Sequence, residues 1–344
     1  MRIASIGPEF SESYENFLRT HAETTLYQSW SYQRLLVELL GCHQEGILAI
    51  DEDENILAAL PLMSMNGPLG VVYNSLPFYG SNGGLIGEDE IARSMLIATY
   101  NKMVVRAGVA SSTIIENPLL LGGAQGGLYD YVDERVGQLT PLPATNNSKL
   151  ALMDSFHYKT RNMIRKAEKL GVDVIIDNDA IPFLIHTHEE NMREIGGLAK
   201  PRQFFDIFPS YFCPGKDYQI YVALIGGQPV AALLTFSYNR TVEYFTPVVR
   251  KEYRDSQALS AVIFRAMCDA ADRGFAWWNW GGTWLSQDGV YRFKSRWGTE
   301  DKKYRYFTTV QNPAVLKSSH LEILRDYQSF FTVPFSALSS SRDQ

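Results

Sequence analysis

Arg292, Lys294 and Arg296 alternate along GVYRFKSRWG, residues 289–298. Read as a strand, this stretch puts the three cations on one face and Tyr291, Phe293 and Ser295 on the other, because strand side chains alternate. Such a strip suits an anion, either a phosphate or the oxyanion that forms when a nucleophile attacks a carbonyl. A solvated strand edge kept soluble by its charges has the same pattern. Just upstream, WNWGG (residues 278–282) alternates Asn279 with Trp278 and Trp280. It reads as the end of a core strand, with one tryptophan packed inside and Asn279 towards an opening. Gly281 and Gly282 would then permit close backbone approach.

A second concentration of positive charge is KTRNMIRKAEKLGVDV, residues 159–174. Met163, Ile164, Ala167 and Leu170 form an apolar stripe at helical spacing, and Gly171 is a good C-terminal cap. Lys159, Arg161, Arg165, Lys166 and Lys169 load the remaining face. Arg161 and Arg165 are candidates for a phosphate-bearing substrate, against the plainer reading of a wet helix face partly balanced by Glu168. Tyr79, Tyr244, Tyr253 and Trp284 have faces that stack on a sugar or a nucleobase, or that fill a core.

The elements that must position these residues come in two similar sets. GILAIDEDENILAALPLMSMN, residues 46–66, has two apolar runs around an acidic turn, which reads as a hairpin. YQIYVALIGGQPVAALLTFSYN, residues 218–239, repeats that layout around Gly226-Gly227-Gln228-Pro229. After each hairpin come a strand, a helix ending at a glycine (Gly108, Gly274) and another strand. In the second helix Leu259, Val262, Ile263, Ala266, Met267 and Ala270 line one face. Helical segments around SWSYQRLLVELLG and HEENMREIGGLA open the two halves. VGQLTPLPATNNSK, rich in Pro, Asn, Ser and Thr, reads as a linker between them. The expected domains are 1–145 and 146–344.

Hydrophobic residues make up 45% and charged residues 20%, with a net charge of −6. That balance opposes a general nucleic-acid binder and gives no reason to expect DNA as a partner. The N-terminus, MRIASIGPEF, lacks a signal-peptide pattern. No apolar run reaches the roughly 20 residues that span a bilayer. A cytoplasmic protein without a transmembrane segment is expected, and peripheral membrane association is compatible with it. Cys42, Cys213 and Cys268 are far apart, which predicts neither a disulfide framework nor a zinc site. His186 and His188, two apart, would face opposite ways on a strand, and no metal is expected.

Hairpin, strand, helix entered through a polar turn, then strand: this order resembles the core of the GNAT acyltransferase fold. The fold class it implies is α+β, with two tandem GNAT-like domains, each a mixed, mainly antiparallel sheet flanked by helices. In that fold the central strands splay, and the acyl carrier's carbonyl sits in the gap. The turn before the central helix normally offers backbone N–H groups to the carrier's pyrophosphate. Here that turn is Arg254-Asp255-Ser256-Gln257-Ala258-Leu259, so Arg254, Ser256 and Gln257 are the candidates for the contact. Without glycine the backbone approaches a phosphate less closely, and Asp255 repels it.

KTRNMIRKAEKLGVDV and GVYRFKSRWG are both similar to signature stretches of the FemABX family, tandem GNAT-like peptidyltransferases that add amino acids to peptidoglycan precursors. The resemblance implies that Lys294 lies at the reaction centre, since it matches the lysine of the family's Tyr-x-Phe-Lys stretch. The family's acidic residue before a proline has its nearest match in Ile115-Glu116-Asn117-Pro118. Glu116, shifted by one, would serve as general base or amine-orienting group. Arg161, Arg165, Arg292, Arg296, Asn279 and the four aromatics would contact substrate. The implied donor is aminoacyl-tRNA, the acceptor an amine on a phosphate-bearing peptidoglycan or surface-polysaccharide precursor, with no tightly bound cofactor. The long helical arm of the family's best-known members has no counterpart in this sequence. Two other functions fit the same layout: an acyl-CoA-dependent N-acyltransferase, and a non-catalytic tandem-GNAT module that binds a nucleotide-linked glycan precursor.

Overall fold

Asp51 closes the first hairpin, accepting hydrogen bonds at one carboxylate oxygen from the Asp53 and Asn55 N–H groups (2.9 and 2.8 Å). The structure, a computed structural model, describes residues 1–78, 82–120, 129–145, 147–283 and 288–338. Its polypeptide divides into two compact units, residues 1–136 with 303–344, and residues 137–302.

In the first unit, β1 (Arg2–Ser5), α1 (Ser11–Thr20) and α2 (Trp30–Leu40) precede β2 (His43–Gln44) and the hairpin β3 (Ile47–Ile50) and β4 (Ile56–Leu60). The expected first helix is α2, capped by Ser29 and ended at Gly41, whose φ of +61° suits glycine. β1, β3 and β4 form a three-stranded antiparallel sheet. A second hairpin, β5 (Met63–Gly67) and β6 (Gly70–Asn74), leads into α3 (Glu90–Val104) and β7 (Val109–Ile115). β6 and β7 run parallel, and Ser75 prolongs their pairing: its N–H donates to Thr113 O (2.9 Å) and its hydroxyl accepts from Ile115 N (2.7 Å). β8 (Tyr131–Pro141) then leaves this unit and enters the next.

The second unit contains α4 (Ser148–Ser155), α5 (Tyr158–Lys169), β9 (Asp173–Ile176), α6 (Ile181–Glu194) and α7 (Arg202–Ile207). The expected hairpin follows as β10 (Tyr218–Ile225) and β11 (Gln228–Tyr238). Gly226 and Gly227 both have positive φ (+58° and +77°), the backbone of a tight two-residue turn that glycine adopts without strain. β12 (Thr241–Val249), α8 (Ala258–Asp272), β13 (Trp277–Thr283) and α9 (Asp288–Ser295) complete the unit. α8 buries Val262, Ile263, Ala266, Met267 and Ala270 against the sheet, as its spacing predicts. β14 (Glu300–Val310) returns the chain to the first unit, where it pairs antiparallel with β7, and α10 (His320–Asp326) lies beyond it.

Each unit is therefore α+β with a mixed, mainly antiparallel sheet, as the layout predicts. The division differs from an even split near residue 145, because residues 303–344 belong with the N-terminal unit. The predicted linker is also partly strand. Val136, Gln138, Leu139 and Thr140 of β8 are buried, with Gln138 and Thr140 satisfied by side chains and backbone around them. His186 and His188 lie on α6, not on a strand. His186 pairs with Glu190 one turn on (3.2 Å), and His188 is buried, its Nε2 accepting from Lys200 N (3.0 Å). No described helix is long and apolar enough to cross a membrane.

One feature of the second unit positions the site. β12 and β13 run parallel through only three rungs, Thr241–Glu243 against Trp277–Asn279. Beyond Glu243 the pairing of β12 with β11 slips, from Thr235↔Tyr244 to Leu234↔Thr246, leaving Phe245 as an extra residue. A bulge of this kind bends its strand. Among the described residues, the β12–β13 ladder ends at the Glu243–Asn279 rung.

Candidate functional site

Lys294 lies on α9, not on a strand. Asp288 and Arg292 pair at i, i+4 (3.3 Å) on the exposed side of this helix. Phe293 and Trp297, also four apart, turn inward, with ring centroids 6.3 Å apart. Positions two apart on a helix are about 200° apart around the axis, so Lys294 points away from Arg292. The predicted cationic strip is therefore absent: Lys294 is buried at 7% exposure, whereas Arg292 is exposed. Arg296 is half-buried just past the helix, and its carbonyl accepts from His157 N (3.0 Å) and the Thr160 hydroxyl (3.0 Å). The pairs Asp288/Arg292 and Phe293/Trp297 carry the helical period that an alternating reading overlooks.

The Lys294 ammonium spends its three protons at the end of β13. It donates to the Thr283 hydroxyl (2.9 Å), Gly282 O (3.2 Å) and Gly281 O (3.4 Å). Gly281 has φ +75°, a conformation that turns two consecutive carbonyls towards one donor and that L-residues seldom adopt. No carboxylate partners the ammonium among these contacts, and burial pushes its pKa down to about 8. Aromatic rings cluster around Trp280, the residue before Gly281. Trp280 meets Trp297 at 5.6 Å, Tyr244 at 4.8 Å and Phe293 at 6.0 Å between centroids. Trp278, Trp280 and Trp297 are all core, one tryptophan more in β13 than the alternation predicts.

Asn279 is not open to substrate. It is buried, its amide nitrogen donating to Glu243 Oε2 (2.8 Å) and its oxygen accepting from Gly281 N (2.9 Å). It thus braces the glycine turn under Lys294 from the last paired rung of the splay. Glu243, 1% exposed, and the buried pair Gln138 and Thr283 complete this layer. Sequence reasoning missed all three. Glu243 could have been found as the single carboxylate inside an otherwise apolar strand, TVEYFTPVV.

Elsewhere the candidates separate. Glu116 lies in the first unit and is 4% exposed rather than at an open strand end. Its carboxylate accepts from Arg305 N (3.0 Å), and its own N–H donates to Arg305 O (3.0 Å). Arg161 donates to Phe156 O (2.5 Å) and Met153 O (3.5 Å), capping the end of α4. Arg165 is exposed, and with Lys149, Arg161, Asn147 and Asp154 it lines a concavity of about 500 Å³. Tyr244 and Tyr253 are half-buried against the core cluster. Tyr79 and Trp284 lie outside the described residues.

The turn before α8 is occupied by its own chain. Arg254 pairs with Glu194, which also meets Lys251 (3.4 Å). The Gln257 N–H donates to Arg254 O (3.2 Å) and the Ala258 N–H to the Ser256 hydroxyl (3.2 Å). Gln257 itself, without the freedom of glycine, adopts φ +61°. With its cation and two of its N–H groups engaged, and Asp255 exposed, this turn does not fit the pyrophosphate of coenzyme A as a glycine-rich one would.

Residues 154–295 match the family model described as Acetyltransferase (GNAT) domain. No curated protein matches the sequence. Among solved structures, FemX shares the fold at a TM-score of 0.72 with 14% identity, over 91% of this chain and 98% of that one. The C-terminal domain of a protein described as a lysylphosphatidylglycerol synthetase, from Agrobacterium fabrum, follows at 0.57 and 14%, over 94% and 99%. A tandem GNAT protein from the clavulanic acid biosynthesis pathway gives 0.50 and 10%, over 91% and 99%. The splayed strands, the central helix α8 and the family match converge: residues 154–295 carry a GNAT-type acetyltransferase domain, and the chain shares its fold with FemX.

Proposed function

We propose that the protein transfers an aminoacyl or related acyl group to an amine of a phosphate-bearing cell-envelope precursor, with Lys294 at the reaction centre. The observation that carries this reading is the buried Lys294 ammonium, held by neutral acceptors at the open end of the splayed strands. Aminolysis of an ester or thioester forms the new C–N bond as the amine attacks the carbonyl. The carbonyl oxygen gains negative charge, and the carbon–oxygen or carbon–sulfur bond then breaks. Two of the lysine's three contacts are long, so an oxyanion could replace them at little loss. A donor fixed in a buried site, as Lys294 is at 7% exposure, acts far more strongly than one in water.

The occupied turn before α8 favours a donor that is not coenzyme A, and aminoacyl-tRNA is the donor that the FemABX resemblance implies. The likeness to FemX and to a lysylphosphatidylglycerol synthetase supports an envelope acceptor. The exposure of Arg165, in a concavity it lines with Lys149 and Arg161, supports it as a contact for an acceptor phosphate. Native mass spectrometry of the purified full-length protein tests this assignment. Retention of a nucleotide-linked precursor, with no mass gain from acetyl-CoA, is expected. Saturable binding of acetyl-CoA without retention of any precursor would overturn it.

A further inference from the structure

Gln138 belongs to a stretch whose composition reads as linker, yet it is 0% exposed on β8 and its side chain makes three polar contacts of fixed direction. Its amide nitrogen donates to Tyr291 O (3.3 Å) and approaches the Thr299 hydroxyl (3.5 Å). Tyr291 lies on α9, one turn before Lys294. With its nitrogen so committed, Gln138 turns its oxygen to Thr283, whose hydroxyl donates to it at 3.0 Å. A threonine hydroxyl has one proton. Once that proton goes to Gln138, the hydroxyl can only accept from Lys294, as it does at 2.9 Å.

We infer that Gln138 is a positioning residue of the transfer site, fixing the Thr283 hydroxyl as an acceptor and so holding the Lys294 ammonium in place. The inference rests on the reading of Lys294 as the reacting-site cation. The direction of the chain is what gives Gln138 its role. A carboxamide can present an acceptor to Thr283 and a donor to α9 at once, tying the hydroxyl to the helix that carries the lysine. An apolar side chain of the same volume fills the space but leaves the hydroxyl free to turn its proton towards the ammonium. Charged groups on the neighbouring elements have partners of their own: Glu243 accepts from Asn279, Arg292 pairs with Asp288 on the outer side of α9, and Asp301 accepts from the Tyr291 hydroxyl. Gln138 and Thr283 therefore act on Lys294 as one unit.

The test uses full-length protein carrying isotope-labelled lysine, with the Lys294 side-chain resonance assigned by its loss in Lys294→Arg. Gln138→Met and Thr283→Val should each lower the midpoint at which Lys294 loses its proton. The shift should correspond to a two- to tenfold change in proton affinity, about the size of one net hydrogen bond. Combining the two should lower it no further than Thr283→Val alone, and Thr283→Ser should restore the wild-type midpoint. Circular dichroism separates unfolding from this effect, and Thr283→Ser keeps the test open should Gln138→Met fail to fold. An unchanged midpoint in Gln138→Met with a lowered one in Thr283→Val would overturn the role of Gln138. No change in either would overturn the bridge altogether. None of these readings needs turnover. Full transfer activity in Lys294→Ala would instead refute the proposed function and leave the bridge standing.

Discussion

Replacing Lys294 with methionine should separate activity from stability. Holding an ammonium whose pKa has fallen from 10.5 to about 8 costs about 3 kcal/mol at neutral pH, and methionine removes that cost. The same change strips a donor from the Thr283 hydroxyl and two glycine carbonyls. A buried acceptor left alone costs about 1–3 kcal/mol. Gly282 is exposed, so water can serve its carbonyl, and Thr283 can still donate to Gln138. These opposing quantities leave a stability change within about 2 kcal/mol of zero. Activity has no such compensation, because loss of one oxyanion donor costs roughly 10²- to 10³-fold in turnover. Urea unfolding and single-turnover transfer, measured on the same preparations, check both halves. A cooperative transition near that of the wild type with a hundredfold slower transfer is expected. Transfer within tenfold of wild type in a folded Lys294→Met protein would refute the reasoning.

Three other perturbations follow from the same contacts. Because the folded pKa of Lys294 lies below its unfolded value, the unfolded chain binds more protons between about pH 8 and 10.5, so this residue's destabilisation is full below pH 8 and relieved above it. Transfer should fall as pH rises through 8 while the lysine's contribution to stability improves, and the Lys294→Met protein should lack the second effect in pH-dependent urea unfolding. His188, driven down to about 4 by burial and then by Lys200, is neutral in the fold, so stability should decline by about 3 kcal/mol as pH drops from 6.5 to 4; His188→Gln should flatten that decline in thermal unfolding. Gly281→Ala meets no neighbouring atom but strains a φ of +75°, for about 1–2 kcal/mol, and should slow transfer by turning the carbonyls away from Lys294. Gly227→Ala at φ +77° should show a similar loss in urea unfolding with transfer unchanged.

The parts of the fold that were legible are those where pattern and burial agree. The Gly226-Gly227 hairpin and the α8 stripe are local, and each is satisfied by its own neighbours in sequence. α9 was misread because Arg292, Lys294 and Arg296 alternate in charge, while the helix is fixed by partners four apart and by Trp297 packing on Phe156 at 5.1 Å. β8 was misread as linker because Gln138 and Thr140 are polar. Their burial is tolerated only through partners far along the chain: Thr283 for one, Trp280 and Trp297 for the other. The sequence singles out Lys294 among the cations of this stretch but not its burial or its neutral surroundings, since three acceptors two residues or fewer apart at Gly281–Thr283 carry no charge pattern. Arg161, a candidate for phosphate against the plainer reading of a wet helix face, donates to the carbonyls at the end of α4, a use of arginine that composition does not separate from either.

The measurement closest to the central claim is the mass of an amine-bearing envelope precursor after incubation with the full-length protein and a charged tRNA pool. An added aminoacyl mass in an amide bond is predicted, formed by the wild type and reduced about a hundredfold in Lys294→Met. An unmodified precursor with every charged tRNA, alongside product from acetyl-CoA, would contradict it.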